Sequence, residues 1–260
     1  MKNSDAVNRL VSHELKRILG AKNRLILLDF DGTLVGYSRN YKNIPISGEL
    51  KNLLTEVKSS RGLKLIIITG RSRSSIDALL GELELDIVAE HGYFLKKNGI
   101  WKPVADIPSD WKRLVLPVMN KYYRKTPGSS IEVKETSLVW HFRNVAEEVW
   151  QRHIKNMSEE LSETAKDQNL RILNGNMVFE IVNNNVNKGT AAEYLTAGNE
   201  YDYVMAIGDD TTDEDMFKAV SRNAQNCTVK IGPGESCAGF CLENFREVRR
   251  LLTLLLNLTL

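Results

Sequence analysis

Leu25-Ile-Leu-Leu28 runs directly into Asp29-Phe-Asp31-Gly-Thr33-Leu34, and the reading of this stretch decides the fold. Four apolar residues closed by acids read as a short strand buried on both faces. Alternate side chains of a strand point the same way, so Asp29 and Asp31 bring two carboxylates together at its carboxyl end. That is where open α/β sheets bind ligands. Gly32 permits the sharp turn that exposes them. Two adjacent carboxylates repel each other and call for a cation or a shared proton. A single acid at a strand end often only caps the next helix. Two acids followed by Gly-Thr point instead to chemistry.

Similar apolar runs recur at Leu65-Ile-Ile-Ile68, Ile87-Val-Ala89, Val204-Met-Ala-Ile207 and Thr228-Val-Lys-Ile231. Helical periodicity separates them, over 47–58 with Ser47 as N-cap, over 72–80, over 190–196 and over 213–220. An amphipathic helix is predicted over 2–20, stopped by Gly20, and a last apolar helix from Phe245 into LLTLLLNLTL. Strands alternating with helices imply βαβ units and a parallel sheet covered on both faces. Residues 101–182 break this rhythm. Ile131–Lys134 and Ser137–Arg143 alternate as half-wet strands, with helices expected over 109–124 and 145–168. Residues 170–173 and 177–182 read as a closing pair around Asn174-Gly175-Asn176. The predicted fold class is α/β: a core of residues 1–100 and 183–260, interrupted by an α+β domain over 101–182. Trp101, Trp111, Trp140 and Trp150 are expected in the inserted domain's core, with Trp140 facing away from His141.

The chain has 260 residues, with 35 basic and 33 acidic side chains, a balance of 35 − 33 = +2. This gives no electrostatic case for nucleic acid or an anionic membrane. Apolar residues at 42% and charged residues at 26% describe a globular chain, not a disordered one. Cys227, Cys237 and Cys241 are too sparse for a disulfide framework and wrongly spaced for zinc; they suit a reducing compartment. No run approaches the roughly 18 apolar residues of a membrane span. The start, MKNSDAVNRL, lacks the apolar segment of a secretory signal. A cytoplasmic location is the expectation.

Three further strand ends carry reactive residues. Thr69-Gly70-Arg71 offers a hydroxyl and backbone N–H groups at a helix start, the makings of a phosphate-sized anion site. Lys188-Gly189 opens another helix. Gly208-Asp209-Asp210-Thr-Thr-Asp213-Glu214-Asp215 packs five acids into seven residues, which suits a hard divalent cation.

The order DxDGT, Thr-Gly, Lys-Gly, GDDxxDED resembles the haloacid dehalogenase (HAD) phosphatase superfamily, and the insertion resembles its cap of the C2B type. Glu90-His91-Gly92, Glu132-x-Lys134-x-x-Ser137-x-x-x-His141-x-Arg143, Asn187-Lys188-Gly189, GDDTTDEDMF and Val229–Ser236 together resemble the trehalose-6-phosphate phosphatases. That family usually places Arg-Pro shortly after the cap glutamate; here Glu180-Ile181 continues as Val182-Asn183.

The resemblance implies Mg²⁺-dependent hydrolysis of a sugar phosphate. It implies Asp29 as nucleophile, Asp31 as acid and base, and Thr69, Gly70 and Lys188 around the phosphoryl group, with Arg71 on the substrate. Asp29, the Asp31 carbonyl and Asp209 would hold Mg²⁺, and Asp213 its waters or Lys188. Glu132, Lys134, His141, Arg143 and Glu180 would read the sugar, while His91 is expected to support Glu90 or the fold. Sucrose-, glucosylglycerol- and mannosylglycerate-type phosphatases share these motifs, and a regulatory sugar-phosphate binder is the non-enzymatic alternative. Association with a trehalose-phosphate synthase is a further expectation.

Overall fold

The structure is a computed structural model that describes residues 4–38, 44–175, 177–198 and 200–258. The predicted helix residues 2 and 3, Asn176 of the predicted turn and the last two residues of the apolar C-terminus lie outside them. The chain divides into two compact units, Met1–Val104 with Asn187–Leu260, and Ala105–Val186.

The first unit opens with helix α1 (Ser4–Gly20) and strand β1 (Arg24–Leu28). Helix α2 (Gly48–Ser59) starts at Ser47, whose Oγ accepts the Leu50 N–H. Strand β2 (Leu63–Ile68), helix α3 (Arg73–Leu80) and strand β3 (Asp86–Ala89) follow. Strands β4 (Phe94–Lys97) and β5 (Ile100–Pro103) form an antiparallel hairpin that the sequence reading passed over. Its signal is Asn98-Gly99, both at positive φ (50° and 77°), the pair that a tight two-residue hairpin turn demands.

The second unit contains helix α4 (Lys112–Tyr123), strands β6 (Ser130–Val133) and β7 (Ser137–His141), helix α5 (Glu147–Asp167), and strands β8 (Leu170–Gly175) and β9 (Val178–Asn183). The chain then returns to the first unit with α6 (Lys188–Thr196), β10 (Tyr203–Gly208), α7 (Asp213–Val220), β11 (Cys227–Ile231), β12 (Phe240–Leu242) and α8 (Phe245–Asn257).

The large sheet has the order β12-β11-β10-β1-β2-β3-β4-β5, parallel from β12 to β3. Its buried strands divide their side chains by alternation. Ile26, Leu28, Leu65, Ile67, Met205 and Ile207 meet α1, α2, α3 and α8 on one face. Leu25, Leu27, Ile66, Ile68, Val204 and Ala206 meet α6 and α7 on the other. The apolar C-terminus belongs to the first face: Val248, Leu251, Leu252 and Leu255 recur at helical spacing and are buried there.

The second unit has a four-stranded antiparallel sheet, β6-β7-β9-β8. Trp111, Trp140, Phe179, Ile181, Met157 and Leu161 form its core. Trp101 does not belong there. It lies on β5, donates its Nε1–H to Asp77 Oδ2 at 2.6 Å and packs on the first unit, because the hairpin extends the large sheet. The first junction between the compact units falls after Val104. The second falls after Val186, because Asn184 N–H is bound to Asn169 O.

Two local expectations are also revised. Asn174 and Gly175 are paired strand residues, opposite Phe179 and Val178, and not turn residues. Strand β7 ends at His141, and Arg143 stands in the turn after it. Trp140 is fully buried, so Trp140→Ala should cost about 3–5 kcal/mol of the second unit's stability, read by denaturant unfolding.

Candidate active site

Strand β1 is hydrogen-bonded to β10 on one side and β2 on the other. Their carboxyl ends therefore bring the loops at Asp29, Gly208 and Thr69 side by side. Asp29 N–H donates to Ile207 O at 2.9 Å, and Thr69 N–H to Val88 O at 2.9 Å.

Lys188 enters from the start of α6. Asn187 caps that helix, its Oδ1 accepting from Gly189 and Thr190 N–H at 2.9 Å each, while Thr190 Oγ1 accepts the Asn187 N–H. Lys188 becomes the first helical residue and is only 2% exposed. Its Nζ donates to Asp29 Oδ1 at 2.6 Å and to Asp213 Oδ1 at 2.8 Å. The other Asp213 oxygen accepts the N–H groups of Asp209 and Asp210, at 2.9 and 3.0 Å, at the amino end of α7. A Cβ on Gly208 would lie 2.1 Å from Asp213 Cγ, so that contact requires glycine.

Asp209 is held on every side. Thr33 Oγ1 donates to Oδ1 at 2.8 Å, Tyr37 hydroxyl to Oδ2 at 2.6 Å, and Lys230 Nζ to its carbonyl. Gly32 lies beneath with φ +91°, where a Cβ would meet the Asp209 carboxylate. Asp29, Asp209 and Asp213 each offer an oxygen within 4.8 Å of the others, a donor set that fits a hard cation such as Mg²⁺. The five acids of 209–215 do not act as one group. Asp210 accepts from Thr212 N–H and Oγ1–H within its own loop, and Glu214 accepts the Cys237 N–H.

Burial pushes the Asp29 carboxyl up to about 8, against the pull of Lys188 and with the charges of Asp209 and Asp210 adding to it. Burial raises Asp213 to about 7 in the same way, and raises Asp209. For Asp210 burial is outweighed by Lys188 and the Thr212 bonds, which hold it low. Lys188 would be lowered by burial, but Asp213 and Asp29 keep it well above its ordinary range. Fully ionised, the cluster would carry more negative charge than one lysine offsets.

Arg71 pairs with Asp31. Its Nε and Nη2 donate to the two oxygens of Asp31 at 2.6 Å each, its Nη1 to Ser75 Oγ at 3.0 Å, and the guanidinium lies over Phe30. The Thr69–Arg71 loop is itself braced. Glu90 N–H donates to Arg71 O and His91 N–H to Thr69 O. Glu90 and His91 both adopt left-handed backbone (φ 49° and 58°), a strained arrangement of the kind found at functional sites. The His91 ring lies against Gly70, where a Cβ would come within 2.4 Å of it.

The second unit carries a polar face of its own. Glu132 and Glu180 both stand opposite Val139, on the sheet face away from Trp140. His141 Nε2 lies 2.8 Å from Glu132 Oε2, and Glu180 Oε1 accepts from Lys134 Nζ at 2.9 Å and Ser137 Oγ at 2.6 Å. Burial would raise the Glu132 carboxyl, but His141 and Lys134 outweigh it and hold it low. Arg143, in its turn, is not on that strand face. The three cysteines are free: Cys227 is buried and its thiol pushed up to about 12 by that burial, while Cys237 and Cys241 are exposed. Tyr37 was missed by sequence reading, since nothing in the spacing of a loop residue after Val35 shows that its hydroxyl turns toward Asp209.

The parallel sheet, with an acid pair after its central strand and lysine and acid loops beside it, has the fold seen in haloacid dehalogenase-like hydrolases. A haloacid dehalogenase-like hydrolase from Bacteroides thetaiotaomicron shares the fold with a TM-score of 0.64, over 89% of this chain and 99% of that one, at 16% identity. A family model described as trehalose-phosphatase matches residues 27–239, and the chain belongs to that family. The C-terminal domain of C. albicans trehalose-6-phosphate phosphatase is similar at 28% identity and a TM-score of 0.87, over 95% of this chain and 96% of that one. The bifunctional trehalose-6-phosphate synthase/phosphatase of Thermoproteus tenax is 37% identical over 89% of this chain, but only 32% of its own length is covered. The chain thus spans about a third of that relative's length. Among the described residues, no helix is long and apolar enough to cross a membrane.

The raised carboxyls set the sign of a pH effect. Folded Asp29 (about 8) and Asp213 (about 7) keep protons that the unfolded groups, at 3.8, have released. The folded state therefore binds more protons across that window, and this cluster makes stability fall as pH rises from about 4 to about 8. Melting of chelator-treated protein should show this component, and Asp213→Asn should reduce it.

Proposed function

We propose that this chain is a Mg²⁺-dependent phosphatase that hydrolyses trehalose 6-phosphate to trehalose and phosphate through an aspartyl-phosphate on Asp29. The observation that carries the chemistry is the buried Asp29 carboxylate, bound to Lys188 and two residues before an Asp31 bound to Arg71. Family membership supports the sugar.

Asp29 attacks phosphorus, the bond from phosphorus to the sugar oxygen breaks, and Asp31 gives that oxygen its proton. Asp31 then takes a proton from water, whose oxygen attacks the aspartyl-phosphate, releasing phosphate and restoring Asp29. Arg71 donates to both oxygens of Asp31. For the first half Asp31 must be protonated, so it must give up at least one of Arg71's N–H groups. Lys188, the Thr69 hydroxyl and the Gly70 N–H offset the charge of the transferring phosphoryl group.

Asp29, the Asp31 carbonyl and Asp209 would hold Mg²⁺, with Asp213 behind them. The cation would supply electrostatic stabilisation of phosphoryl oxygens. Glu132, Lys134, His141 and Glu180 supply the charged donors and acceptors suited to sugar hydroxyls, with Arg143 close by in sequence. The name of the T. tenax relative supports association with a trehalose-phosphate synthase.

Phosphate release from a panel of sugar phosphates, with and without Mg²⁺, tests the reading. Trehalose 6-phosphate should lead the panel, and equal rates on sucrose, glucosylglycerol and glucose phosphates would overturn the sugar assignment. Asp29→Asn should lower turnover by about a thousandfold or more while leaving the fold intact. Mg²⁺ should raise the melting temperature more at pH 8 than at pH 5, since protons compete for the same carboxylates.

A further inference from the structure

We propose that Tyr37 is a positioning residue for the cation: its hydroxyl fastens Asp209 as a one-oxygen ligand and biases the site toward Mg²⁺ over Ca²⁺. This rests on the Mg²⁺ reading above.

The argument starts from how Asp209 is gripped. Its main chain is fixed by Asp213 at the amide and by Lys230 at the carbonyl. That leaves rotation of the carboxylate to be settled. Two hydroxyls settle it, Thr33 on Oδ1 at 2.8 Å and Tyr37 on Oδ2 at 2.6 Å. The two come from different parts of the chain's turn. Thr33 is fully buried within the DxDGT segment, whereas Tyr37 lies beyond the Asp31–Val35 bridge. The Tyr37 residue is 48% exposed, yet its hydroxyl is turned onto a carboxylate. A tyrosine with that much exposure can hydrate its hydroxyl, so the inward bond marks a specific interaction with this one acid.

Each carboxylate oxygen has about two acceptor sites, so a hydrogen bond on each leaves about one per oxygen for a cation. A carboxylate pinned on both oxygens is a poor chelating ligand and a good one-oxygen ligand. That difference separates the two common hard cations. Mg²⁺ requires near-octahedral geometry at about 2.0–2.1 Å, whereas Ca²⁺ takes six to eight oxygens at roughly 2.3–2.6 Å and accepts chelating carboxylates. Outer partners of metal ligands commonly change metal affinity by about 10–100-fold. Tyr37 and Thr33 stand in that position.

The test is calorimetric titration of chelator-treated protein with Mg²⁺ and, separately, with Ca²⁺. In Tyr37→Phe, Mg²⁺ affinity should fall about tenfold or more while Ca²⁺ affinity falls less or rises, so the preference for Mg²⁺ narrows. Thr33→Val, a near-isosteric loss of the other hydroxyl, should move the preference the same way and serves if the first variant fails to fold. Unchanged Mg²⁺ affinity in both variants would overturn the proposal. So would tighter Mg²⁺ binding, or equal losses for the two cations, the mark of a merely structural role. Absence of Mg²⁺ binding by the wild-type protein would instead remove the Mg²⁺ reading itself, and this inference with it.

Discussion

The ammonium of Lys188, buried between Asp29 and Asp213, is the interaction on which the site depends. A buried ion costs several kcal/mol unless it is paired and its hydrogen-bonding groups are satisfied. The local architecture at this edge of the sheet satisfies that demand. Asn187 caps α6 so that Lys188 falls on the first helical residue. Asp213 accepts the Asp209 and Asp210 N–H groups with one oxygen and takes Lys188 with the other. Gly208 leaves room for that carboxylate. Loops after β1 and β10, and the helix start at α6, are thereby tied at one point.

The pairing is deliberately incomplete in charge. Fully ionised, Asp29, Asp209 and Asp213 would together exceed what Lys188 offsets, and burial, with neighbouring acids adding to it, raises their carboxyls. A divalent cation of oxygen-ligand preference would remove that excess. Asp31 is kept out of this excess because Arg71 occupies both its oxygens. Two aspartates two residues apart thus sit in different electrostatic surroundings, one against an ammonium and other acids, one against a guanidinium. Such a division suits two carboxylates to two roles.

Much of this was legible in the residues. Period-two burial of β1, β2 and β10 follows from apolar runs that admit no wet face, and α8 follows from the spacing of Val248, Leu251, Leu252 and Leu255. The hairpin β4–β5 was missed although Asn98-Gly99 marks it, because its strands carry lysines and lack an apolar run. Trp101 was misassigned with it. The acids of 209–215 looked like one cation site, and the fold spends four of them differently: Asp209 and Asp213 on the cluster, Asp210 on Thr212, Glu214 on the Cys237 loop.

The sequence by itself determined the alternation of buried strands and helices, the interruption by a second unit and the residue types at the strand ends of the site, because hydrophobic periodicity and turn chemistry are local properties. Only the tertiary structure decided partners. Arg71 lies 40 positions from Asp31, and Tyr37 lies 172 positions from Asp209. Which donor finds which carboxylate depends on strand neighbours in the sheet, and β1 lies between β2 and β10 through long-range pairing that no local pattern encodes.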